Sequence, residues 1–197
     1  ESLSVMPSHC ISALVRRLEA EGFRVSGFAM FRMPDSYYPS HWGQVVKNHL
    51  ELRNLKDFTV TENLPIWRNL NFFACEVQNF KLICFEEALA AGLLRTISSV
   101  LSLTEKFEDL EGEIGKVNDS LPHQTLFALR FFNALYSQTD VRKIVKCLED
   151  AKPMKDGGKA RLPPELVKIV WERHKEEYAY CLKLQEGAPM AAPLLVA

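Results

Sequence analysis

Hydrophobic and polar positions follow different rules in the two parts of this chain. Up to about Phe85, short apolar runs alternate with aromatic, proline-marked loops. From Glu86 onward, apolar residues recur almost everywhere at helical spacing. Between Ser8 and Glu21, Ile11, Leu14, Val15 and Leu18 share one face, with Arg16, Arg17, Glu19 and Glu21 opposite. This predicts an amphipathic helix with Ser8 as its cap and Gly22 as its stop. Phe23 to Phe31 reads as a strand. Phe23, Val25, Gly27, Ala29 and Phe31 form one face, and Phe28 and Met30 make the other apolar too, as in a strand covered on both sides.

Met33 to Ser40, punctuated by Pro34 and Pro39, predicts a loop, followed by a second helix from about Trp42 to Leu52 with Ser40 as cap. Asp57 to Thr61 predicts a short strand. Asn71 to Phe85 predicts a hairpin: Phe73, Cys75 and Val77 alternate, then Phe80, Leu82 and Cys84, around a Gln78-Asn79 tip.

Helix then takes over. Leu93, Ile97, Val100 and Leu101 mark the apolar face of a helix running from Phe85 to about Thr104. Phe107, Leu110, Ile114, Val117 and Leu121 continue as a heptad-like seam, weakened by Gly112 and Gly115. A helix starting at Pro122 carries Leu126, Phe127, Leu129, Phe131, Phe132 and Leu135 around much of its circumference. It is expected to be the central helix of the C-terminal half. Asp140 to Glu149 predicts a short helix with Val141, Ile144, Val145 and Leu148 inward, and Lys152 to Arg161 a linker. Pro163-Pro164-Glu165 opens a final helix to about Gln185, and 187–197 is an apolar Pro/Ala-rich tail.

The expected class is therefore α+β. Residues 1–85 would hold a small, mostly antiparallel sheet of about three or four strands with two flanking helices, residues 86–186 an all-helical half, and 187–197 the tail.

Composition changes the picture mainly by exclusion. A net charge of -1 is not that of a basic nucleic-acid-binding domain, so any phosphate-binding surface must be local. The candidate is the run Arg142, Lys143, Lys146, Lys152, Lys155, Lys159 and Arg161, interrupted by Glu149, Asp150 and Asp156. No apolar run reaches the roughly 18 residues of a membrane-spanning helix. The chain begins at Glu1 without a Met, which reads as an excised domain or a processed chain. Its cysteines, Cys10, Cys75, Cys84, Cys147 and Cys181, form no C-x-x-C, which suits a reduced intracellular protein, cytoplasmic or nuclear.

Motifs for chemistry are missing. There is no phosphate-binding glycine loop, no nucleophile elbow, and no pair of histidines at metal-ligand spacing among His9, His41, His49, His123 and His174. No cofactor or metal is expected. Cys10, beside His9 near a helix start, is the one cysteine whose sequence neighbours favour a thiolate. The leading expectation is a non-enzymatic protein–protein interaction domain, a subunit or adaptor of an intracellular assembly, whose partner is another protein or a second copy. Its candidate contact residues are Tyr37, Tyr38 and Trp42 in the first loop, Trp67 in a second, and Phe107, Leu110, Ile114 and Val117 on the seam. The alternatives are a nucleic-acid-binding module using the Arg142–Arg161 surface, and a thiol-dependent enzyme using Cys10.

Overall fold

A computed structural model of the protein describes residues 8–48, 51–64, 77, 79–102, 121–150 and 158–186. About 70% of them are helical. The order of elements is α1 (Ser8–Ala20), β1 (Ser26–Phe31), α2 (Pro34–Lys47), α3 (Leu55–Thr61), β2 (Asn79–Cys84), α4 (Phe85–Ala91), α5 (Leu93–Leu101), α6 (His123–Leu135), α7 (Gln138–Asp150) and α8 (Pro164–Gln185). The described residues fall into two compact units. One lies within Glu1–Met33, Leu64–Gly115 and Lys175–Ala197, the other within Pro34–Asn63 and Lys116–His174. No helix among the described residues is long and apolar enough to cross a membrane.

The first unit holds the sheet, and here the expected antiparallel sheet is corrected. β1 and β2 pair in parallel, in register from Ser26 opposite Asn79 to Phe31 opposite Cys84. Parallel strands need a long crossover, and 47 residues of chain separate these two, so the partner of β2 could not be read from local alternation. Asn79, expected at a hairpin tip, is the first residue of β2. The other expected arm, Asn71 to Glu76, lies outside the described residues.

Side chains two apart share a face of a strand, which brings Ala29 and Phe31 beside Leu82 and Cys84. Tyr178, Cys181, Leu182 and Leu184 of α8 close that core, with Tyr178 edge-on to Phe31 at 5.8 Å. Ile11 and Val15 of α1 bury against Val25, Val77 and Phe80. The start of α1 falls where its pattern predicts, although the side chain of Ser8 lies outside the described residues. Its stop is Gly22, whose φ of 86° lets Phe23 N–H reach Leu18 O and Gly22 N–H reach Glu19 O, both at 3.0 Å. The single helix expected from Phe85 is two, broken at Gly92, where φ is 96°.

The second unit departs further from the expected pattern. The Met33–Ser40 loop is the first half of α2. Pro34 stands at its first position, where the missing N–H costs nothing. Pro34, Tyr38, Trp42 and Val46 then recur every fourth residue and are all buried. Pro39 lies inside the helix and forfeits one backbone bond there. Gly43 brings α2 close to α6: a Cβ at this position would stand 3.3 Å from Leu126 Cδ1.

The strand expected at Asp57–Thr61 is helix α3. Asn54 caps it, accepting from Asp57 N–H at 2.8 Å, and Leu55, Phe58 and Thr59 share its buried face. Thr59 and Thr61, which look β-prone in sequence, donate their hydroxyls back to Leu55 O and Asp57 O, at 2.7 and 2.8 Å. Local capping outweighs β-branching.

Candidate interaction surface

Two places in the second unit stand out: a polar cluster in its interior and an aromatic helix face on its surface. The cluster is built where α8 meets the end of α3. Arg173 donates to Glu62 O at 2.6 Å, to Thr59 O at 3.0 Å and to Val60 O at 3.2 Å, so one guanidinium serves carbonyls that the last turn of α3 leaves without helical partners. The same group donates to the Tyr38 hydroxyl at 3.0 Å, which lies 2.9 Å from His174 Nε2 and 3.1 Å from Glu62 O.

Tyr38 and His174 are buried in the interior of this unit. We assign the set to holding α2, α3 and α8 together.

Beside it, Arg53 donates to both oxygens of Glu51, at 2.9 and 2.6 Å, and to Glu62 Oε1 at 2.6 Å. Burial pushes the Glu51 carboxyl up. Its bonds from the Arg53 side chain and N–H, and from Leu52 N–H, outweigh this and hold it below the usual carboxylate range. The hydrogen bonds to Glu51 and then to Glu62 fix the Arg53 charge.

The surface feature is α6. Leu126, Leu129 and Asn133 form its buried face, at the i, i+3, i+7 spacing of a helix seated on a core. Asn133 ties that face down, donating its amide to Val46 O at 2.8 Å and Glu51 O at 3.2 Å. The opposite face carries Phe127, Phe131 and Leu135, each four residues apart, which are 46%, 54% and 76% exposed. Phe132 and Tyr136 extend it along one flank, also exposed, with ring centroids 5.8 Å apart. On the other flank, Arg130 lays its guanidinium over the rings of Phe127 and Phe131, 4.7 and 5.3 Å from their centroids. The expected central helix is thus a helix with only one buried stripe.

At about 200 Å² per large side chain, the exposed part of this face amounts to roughly 500 Å². The helix carries no acidic residue, and among the described residues no carboxylate pairs with Arg130. Single exposed apolar residues elsewhere, such as Phe23 and Leu89, are ordinary; a patch of roughly 500 Å² is about the size of the largest on a typical monomer, which is often a functional surface.

The candidates taken from sequence are placed as follows. Tyr38 and Trp42 are core residues, Trp42 donating its indole N–H to Arg53 O at 3.0 Å. Tyr37 is half-buried and stacked on His41, with centroids 5.6 Å apart. Trp67, Phe107, Leu110, Ile114 and Val117 lie outside the described residues. Arg142, Lys143 and Lys146 are exposed on α7, Lys143 beside Asp140 at 3.6 Å, and Lys159 and Arg161 are exposed ahead of α8. Lys152 and Lys155 are outside the described residues. Cys10 is half-buried, and among the described residues no hydrogen bond joins it to a histidine. Nor do three or more metal-ligating side chains converge among the described residues.

An open groove of about 530 Å³ in the first unit runs along β2, floored by Phe80, Leu82, Val100 and Leu184.

The α6 surface could have been found from sequence by asking why one 13-residue helix needs so many large apolar residues. A single core-facing stripe accommodates about half of them. Comparison with known protein families, with curated proteins and with solved structures finds no match to this chain.

Proposed function

We propose that this protein is a non-enzymatic interaction domain that binds another protein through the exposed face of α6. The observation that carries the reading is the row Phe127, Phe131 and Leu135, presented to solvent by a helix whose other face is buried and hydrogen-bonded. Leaving such a row in water forgoes about 25 cal/mol for each Å² a partner would cover. The row itself exposes about 350 Å², and roughly 500 Å² with Phe132 and Tyr136, which at that rate is a substantial driving force, although association entropy consumes much of it. Phenylalanine and arginine, the residues side by side here, are both enriched at protein–protein interfaces relative to the rest of the surface.

The test is a double variant, Phe131→Ser with Leu135→Ser, compared with the unaltered protein as bait in affinity capture from cells. Both residues are exposed, so thermal stability should hold. The expected result is loss of a defined set of co-purifying proteins while folding is retained. Identical captured sets for the two baits would sink the reading.

A further inference from the structure

We infer that the α6 surface recognises a short amphipathic helix that carries a carboxylate beside its apolar row, and that Arg130 is the residue that selects it. This rests on the interaction reading of α6 given above and narrows it to a partner of defined chemistry.

Charge supplies the first argument. Arg130 is the single charged side chain of α6, flanks the row at its midpoint, and has no carboxylate partner among the described residues. A ligand that covers Phe127 and Phe131 must also cover or border the guanidinium above them. An approaching apolar surface would strip water from that charge without return, and a lysine or arginine there would add repulsion. A carboxylate restores the lost hydrogen bonds in the two-pronged geometry guanidinium favours, while the cation keeps its contact with the rings. Acidic residues are therefore admitted at this flank and basic ones rejected.

Area supplies the second argument. Roughly 500 Å² on one side is less than the about 800 Å² per partner of a standard protein–protein interface, and far less than a permanent homodimer buries. It suits one helix of a few turns, with apolar residues at i, i+3 or i+4, and i+7 against the row.

A second copy fits poorly. In an antiparallel two-fold pair centred on Phe131, the two Arg130 side chains fall on the same flank of the seam and close to one another, and like charges there oppose pairing. Nucleic acid would use the arginine and the rings, but Leu135 and the unbroken apolar row offer nothing to a phosphate backbone.

The experiment is a displayed library of amphipathic helices whose apolar positions are fixed as Leu and whose flanking positions are randomised between Glu and Lys. It is selected against the unaltered protein and counter-selected against the Phe131→Ser variant. Binders that depend on Phe131 should be enriched in Glu on one flank. The Arg130→Glu bait should reverse the preference to Lys, and Arg130→Ala should weaken a selected Glu-bearing peptide about tenfold. Phe131-dependent binders with no Glu preference, or a preference that Arg130→Glu leaves unchanged, would overturn the inference while the interaction reading stands. No Phe131-dependent binder at all would overturn both. A fluorescent single-stranded oligonucleotide is titrated in parallel; binding that Phe131→Ser abolishes would replace the proposal with nucleic-acid recognition.

Discussion

Replacing Arg173 by Met removes one guanidinium and keeps most of the aliphatic length. Four acceptors lose a donor: Glu62 O at 2.6 Å, Thr59 O and the Tyr38 hydroxyl at 3.0 Å, and Val60 O at 3.2 Å. A hydrogen bond to a charged group contributes about 1.5–3 kcal/mol when buried. Water can replace the bond at the exposed Val60 carbonyl, and the guanidinium is itself partly exposed, so the terms do not add. The net cost is set by the two part-buried carbonyls and the Tyr38 hydroxyl, and comes to about 3 kcal/mol. For a chain of this size that corresponds to a fall in melting temperature of about 6–12 °C. Thermal unfolding followed by far-UV circular dichroism measures it, with Arg173→Lys as a control. The lysine keeps the charge but has no planar fork to reach carbonyls spread over the helix end, so it should recover only a minor part of the loss. A fall below about 2 °C for Arg173→Met would show that the cluster does not hold α3 to α8, and the Tyr38–His174 pair would need a role other than structure.

Four further outcomes follow from named contacts. Asn133→Ala strips Val46 O and Glu51 O of a buried donor, so urea unfolding should show a loss of about 2 kcal/mol; an unchanged midpoint refutes the idea that Asn133 anchors α6. Gly22→Ala forces a Cβ onto a residue at φ 86° and should cost about 1–2 kcal/mol in the same assay, although nothing lies within 4 Å to clash; a neutral result would mean the turn relaxes. Because the Glu51 carboxyl sits below its unfolded value, its contribution is complete above about pH 4.3 and is lost as the pH falls through the lower folded value. Melting temperature should therefore drop on acidification below that point, and less steeply in Glu51→Gln; equal slopes would exclude Glu51 as the source. Burial pushes the Cys181 thiol up to about 12 and raises Cys84 as well, whereas Cys147 is exposed, so a thiol reagent should modify Cys147 well before the other two. Peptide mapping that finds Cys181 labelled as fast as Cys147 would contradict the packing of α8 on the sheet.

Much of the local structure is set by the chain's own pattern. The helix at Ser8, its stop at Gly22, the helix starts at His123 directly after Pro122 and at Pro164, and the strand character of Phe80–Cys84 and of Ser26–Phe31, the later part of the strand expected over Phe23–Phe31, depend on periodicity and on backbone freedom within a few residues. Those causes are present in the sequence. Strand direction is not, because β1 and β2 pair across 47 residues of intervening chain and local alternation carries no record of a distant partner. Asp57–Thr61 and Met33–Ser40 show the same limit at short range. β-branched residues argue for strand and prolines for loop, yet Asn54 capping and the four-residue spacing of Pro34, Tyr38, Trp42 and Val46 become decisive once a core exists to receive those side chains.

The candidate site divides in the same way. That α6 carries more large apolar residues than one stripe can bury is written in its sequence. Which of them enter the core is fixed by Gly43, which admits Leu126, and by the carbonyls that hold Asn133. Those contacts orient α6 so that Phe127, Phe131 and Leu135 face water, while Tyr38 is taken up by Arg173 and His174 of α8 and Trp42 by the Arg53 carbonyl. Composition determines how much apolar surface the protein has; only the tertiary contacts of each helix determine which part of it a partner can reach.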